Sequence, residues 1–67
     1  MNLILIELQK NNNTVAITPA KIYNAEDDAL QEFFSVCSYA VKSDVDVHTV
    51  LLLQEDGTVF AKKTFTH

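Results

Sequence analysis

The side chains with reactive potential are few: one cysteine, Cys37, two histidines, His48 and His67, and carboxylates and lysines scattered over 67 residues. A cysteine nucleophile needs a depressed pKa and a basic neighbour. Cys37 instead stands three or four residues from Phe33, Phe34, Ala40 and Val41, which in a helix is a core setting. A metal ion needs three or four convergent ligands, and no His, Cys and Asp spacing supplies them, so His48 and His67 read as plain surface or interface histidines. Asp44 and Asp46 could form half of a cation site, but read as a solvated helix exit. Glu26, Asp27 and Asp28 with Glu32 could serve as an acidic docking face or an acid/base pair; for the first three, helix-dipole chemistry is already a sufficient account. The single glycine, Gly57, excludes a phosphate-cradling loop, and no Ser/His/Asp or Cys/His set is recognisable. The expectation is a non-enzyme with no cofactor.

What remains is surface chemistry. Lys62 and Lys63 could attract an anion, although lysines on an outer strand commonly discourage edge pairing. Tyr39 is an aromatic residue on an otherwise polar helical arc, a position typical of contact surfaces. Net charge is −4 and all 5 basic residues are lysines. Nucleic-acid affinity comes from neutralising phosphates and from guanidinium forks, so an acidic chain without arginine is expected to bind neither nucleic acid nor an anionic membrane. The run Leu3-Ile4-Leu5-Ile6 is too short for a signal or a membrane span, and one cysteine makes no internal disulfide; a cytoplasmic protein is expected.

These residues must be positioned by a small fold. At 48% hydrophobic and 21% charged the chain is too apolar for a disordered tail, and its length holds one domain. Residues 2 to 9 read as a strand that turns at Lys10-Asn11-Asn12-Asn13 into a second strand at 14 to 18. Pro19 should end or bend that strand or mark an edge, with Ala20 to Tyr23 extended beyond it. Asn24 is placed as the N-cap of a helix running to about Lys42, whose apolar stripe is Leu30, Phe33, Phe34, Cys37, Ala40 and Val41, widened by Ala25, Ala29 and Val36. Residues 45 to 54 and 58 to 66 flank Glu55-Asp56-Gly57 as a hairpin. A three-residue loop pairs Leu53 with Val59, Leu51 with Ala61 and Val47 with Phe65, leaving Val50, Leu52 and Phe60 with His48, Lys62 and Thr64 on the other face.

The fold class that follows is α+β: a ββαββ chain whose four-stranded antiparallel sheet has the order 2-1-3-4, with one helix on one face. The first and third strands are apolar on both faces, yet one helix covers only one of them. A second copy of the chain is the expected cover, with Leu52, Phe60, Val50, Ile4 and Ile6 at the interface.

Ala29, Phe33-Phe34-Ser35 and Ser38-Tyr39-Ala40, followed by an apolar strand and Asp56-Gly57, resemble the helix and hairpin of short uncharacterised proteins of phages and mobile elements. The resemblance covers about the last 45 residues and carries no catalytic motif. It implies a small accessory protein of the kind that binds and inhibits a host factor or sequesters a signal molecule. Two expectations result. One is an acidic homo-oligomer that grips a partner protein; the other is a small-molecule binder with a pocket between subunits. Tyr39, Glu32, Lys62, Lys63 and His48 are the candidate contacts for either.

Overall fold

The computed structural model describes residues 2–67. Its elements are β1 (Leu3–Asn11), β2 (Thr14–Ile17), β3 (Lys21–Tyr23), α1 (Glu26–Ala40), β4 (Val47–Gln54) and β5 (Val59–Thr66). All strand pairs are antiparallel in the order β2-β1-β4-β5, and β3 also pairs with β1. The expected four strands are therefore five. What reads as one strand with an extended tail is two strands laid end to end along one side of β1, β2 against Leu8–Asn11 and β3 against Leu3–Leu5. Pro19 has no amide to give the ladder. Beside the break Glu7 N–H bonds the Thr18 hydroxyl oxygen at 3.0 Å, while Thr18 N–H returns to the Glu7 carbonyl at 3.0 Å.

Register is set by two irregularities that do the same work. Ile17 and Ile22, and likewise Phe60 and Phe65, are separated by an odd number of positions, so a regular strand would send the members of each pair to opposite faces. Between β2 and β3, three residues (Thr18, Pro19, Ala20) oppose two of β1, which brings Ile17 and Ile22 opposite Leu8 and Ile4 on one face. In β5 a bulge falls between the partners of Leu52 and Leu53, at Phe60. The three-residue loop is present, with Gln54 N–H bonded to the Thr58 carbonyl at 2.8 Å, Gly57 at φ 88° and Leu53 opposite Val59. Beyond the bulge the expected pairing is overturned: Leu51 faces Lys62, Val50 faces Lys63 and Val47 faces Thr66. The extra residue lets Phe60, Ala61 and Phe65 all pack toward the core, which the regular register cannot do.

The helix lies over β1, β3 and β4. Its N-cap is Ala25 rather than Asn24, and no side chain caps it. Ala29 N–H bonds the Ala25 carbonyl at 3.1 Å, and the Asp27 carboxylate takes the Asp28 amide at 2.9 Å. Glu26, Asp27 and Asp28 occupy the first turn, where negative charge opposes the dipole. The helix ends at Ala40, followed by a turn in which Lys42 and Ser43 amides reach the Tyr39 and Ala40 carbonyls. Its buried line is Ala29, Phe33 and Ala40, with Leu30, Val36 and Cys37 half-buried; Phe34 and Val41, expected in the stripe, are 64% and 50% exposed. The helix has rolled toward its small residues, because Ala29 and Ala40 admit close approach to a sheet surface of Leu3, Leu5, Val50 and Leu52.

Candidate functional site

One face of the sheet is covered and the other is bare. Leu3, Leu5, His48, Val50 and Leu52 alternate onto the helix side and are buried. Ile4, Ile6, Leu8, Val47, Leu51 and Leu53 therefore point the other way, joined by Ile17 and Ile22 at 65% and 67% exposure and by Val15 and Val59. Of the interface residues expected from sequence, Ile4 and Ile6 lie on this bare face. Val50 and Leu52 do not: both are 0% exposed beneath the helix, and Phe60 packs against the same core. The strand carrying them faces the opposite way because its Leu52 pairs with Leu5 and its Val50 with Glu7. The β5 column of the bare face is polar, with Lys62, Thr64 and Thr66, and Thr64 bonds to Thr49 of β4 through their hydroxyls at 3.2 Å; Lys10 of β1 lies on the same face.

The two flanks of the helix differ in charge. On the β3 side, Tyr23, Asp28, Gln31, Glu32 and Ser35 line a shallow acidic hollow. On the β5 side, an open hollow of about 410 Å³ is lined by Phe33, Phe34, Cys37, Ala61, Lys62, Lys63 and Phe65. Phe33 and Phe34 meet edge to face with centroids 5.4 Å apart. Burial pushes the Cys37 thiol up, and the Lys63 ammonium opposes it in part. A third hollow of about 290 Å³ opens beside Pro19 between Leu5, Ile6, Glu7, Thr18, Lys21 and Val36.

His48, expected on the surface, is 5% exposed. Its Nε2–H donates to Glu7 Oε1 at 2.8 Å, and its Nδ1 is hydrogen-bonded with the Ser43 hydroxyl at 3.0 Å. Hydroxyl, imidazole and carboxylate thus stand in line, a set the sequence conceals because its members come from β1, β4 and the helix exit. Such a line can pass a proton. Here the covered ring ties the exit loop to two strands, and the burial of His48 is made good by its hydrogen bonds to the half-buried Ser43 and Glu7. His67 fastens the other end of that loop, with Nδ1 2.8 Å from the Val45 carbonyl and its amide bonded to Asp46. Asp46 in turn accepts from the Asn12 amide at 2.9 Å, holding the first hairpin, whose Asn12 sits at φ 57°.

The remaining expected contacts are dispersed. Tyr39 is 76% exposed on the outer helix surface, Glu32 belongs to the acidic flank, and Lys62 and Lys63 belong to the β5 edge. Among the described residues no cluster of His, Cys, Asp and Glu could hold a metal, and no helix is long and apolar enough to cross a membrane. No protein-family model, curated protein or solved structure matches the chain.

Proposed function

We propose that this chain is a non-enzymatic interaction protein that pairs with a second copy through its bare sheet face and engages a partner protein on the surface left free. One observation carries the reading: the helix covers β1, β3 and β4 on one side of the sheet, yet the opposite side presents a continuous apolar field from Ile22 and Ile17 across Ile4 and Ile6 to Leu51 and Leu53. Four strands about 4.8 Å apart and about eight residues long make a face on the order of 500 Å². Two such faces bury about 1,000 Å², the lower bound of a specific interface, and a patch that large left in water lies at the upper limit for a monomer. The Ser43, His48 and Glu7 line is spent on fastening the fold, which favours binding over catalysis. A ligand pocket between subunits would need Tyr39, His48 and the two lysines to converge, and their dispersal favours a protein partner.

Sedimentation velocity at micromolar concentration tests the pairing. The expected result is a species of twice 7.5 kDa that Leu51→Lys converts to a folded monomer. A wild-type monomer at those concentrations overturns it.

A further inference from the structure

We propose that the free edge of β5 is a docking site for an extended acidic segment of another protein, which adds to the sheet beside β5, sets its apolar side chains in the hollow along α1 and its carboxylates toward Lys62 on the other face, in the positive field of the Lys62-Lys63 pair. The proposal rests on the reading of the chain as an interaction protein, but not on its self-association.

Three features of the edge converge on this occupant. β5 is the last strand of the sheet, so one row of its backbone amides and carbonyls has no partner strand. Directly beside that row the helix stops short, and Phe34, Cys37 and Phe65 leave an apolar trough. A strand laid along β5 would project alternate side chains into that trough, the geometry by which sheet edges take up peptides. The third feature is charge. Lys62 and Lys63 stand on opposite faces of β5, both exposed, and among the described residues neither has a carboxylate within salt-bridge distance. Among the described residues none of the 5 lysines is in a salt bridge with a carboxylate; what sets these two apart is that they are adjacent and lie on the free edge. An incoming strand that turns its apolar residues into the trough turns its alternate carboxylates to the other face, where Lys62 stands, while Lys63 borders the trough itself.

A second copy is a poor occupant of this edge. Antiparallel pairing of β5 with itself about a twofold axis near mid-strand brings the lysines of the two copies together, and like charges directly across a strand pair are unfavourable. The edge therefore rejects itself and accepts an acidic strand, a division of labour in which the apolar sheet face serves self-association.

The test uses the full chain, isotope-labelled, titrated with a capped synthetic peptide of alternating valine and glutamate as long as the 8 residues of β5. Saturable amide shifts concentrated on β5, Phe34 and Cys37 are expected. Affinity should fall about tenfold in Lys62→Glu/Lys63→Glu and fall as salt rises from about 50 to about 300 mM. Phe34→Ser, at an exposed position, should weaken binding with an unchanged far-ultraviolet spectrum, which separates the trough from the charges. Any of three results overturns the proposal: no saturation at millimolar peptide, equal binding of a peptide with lysine in place of glutamate, or shifts mapping to β2 and β3. Repeating the titration on Leu51→Lys keeps the two readings apart, since a monomer that still binds the peptide retains the docking edge and a dimer that ignores it loses that edge alone.

Discussion

His48 shows how much one buried ring can organise. It takes Glu7 from β1 on one nitrogen and Ser43 from the helix exit on the other, so removing it leaves a cavity and two polar groups without their partner. His48→Ala should cost about 2 to 4 kcal/mol, read from the denaturant midpoint, whereas Ser43→Ala should cost about 1 kcal/mol. Cys37 answers to a different neighbour. Its thiol is held above its ordinary value by burial and drawn partly back by Lys63, so it is protonated and slow to alkylate at neutral pH. Lys63→Ala should move the pH midpoint of alkylation higher still; a midpoint that stays or falls would mean that the cation does not act on the thiol. Neither neighbour is legible in the sequence. Glu7 and His48 meet only because β1 and β4 pair in a register that makes them diagonal on one face, with Gln9 opposite His48 and Glu7 opposite Val50.

Element boundaries in this fold answer to packing as well as to local chemistry. The helix starts on Ala25, a residue with no side-chain acceptor, while Asn24 one position earlier has the right chemistry in the wrong place. Asn24→Ala should accordingly leave stability within about 0.3 kcal/mol, and Ala25→Ser should raise it by about 0.5 to 1 kcal/mol by capping the first turn. Equal effects of the two changes in chemical denaturation would return the boundary to Asn24. In the β4–β5 turn the Thr58 amide donates to the Asp56 carboxylate at 3.0 Å and holds that carboxyl below its usual range. A carboxyl whose folded value is depressed contributes stability above its unfolded value, near about 3.9, and loses it as pH falls through the folded value. The stability difference between the protein and Asp56→Asn should therefore shrink on acidification below about pH 4; a constant difference would show that the bond does not depend on ionisation. The turn itself is written in Asp56-Gly57, whereas the bulge at Phe60 is not, because it answers to where Phe60 and Phe65 must go rather than to any local turn signal.

As a whole the molecule is a slab of 36 × 21 × 16 Å with a Cα radius of gyration of 11.8 Å, against about 10.9 Å for an average chain of this length. The excess is the geometry of one sheet with one helix on one side. Alternation along β4 turns this into a sharp contrast between adjacent residues. Leu52 is 0% exposed under the helix, so Leu52→Lys buries a charge without a partner and should unfold the chain. Leu51 is on the bare face opposite Ile6 and Lys62, so Leu51→Lys should leave the circular dichroism spectrum intact and abolish self-association. If the outcomes are reversed, the faces of β4 have been assigned the wrong way round.

Much of this architecture is determined by the sequence alone. The composition and the Asn12-Asn13 and Asp56-Gly57 turns place two hairpins around an uninterrupted helix, and the doubled apolar character of Leu3 to Ile6 and Val50 to Leu53 puts apolar side chains on both sides of the sheet. Which side each residue takes was decided only in three dimensions. Strand alternation has period two, so a single inserted residue at Pro19 or Phe60 exchanges the faces of everything beyond it, and where that residue goes depends on the packing of the whole sheet against the helix. For the same reason Val50 and Leu52 became core, Ile4 and Ile6 became surface, and Lys62 and Lys63 came to border an aromatic trough on a free edge.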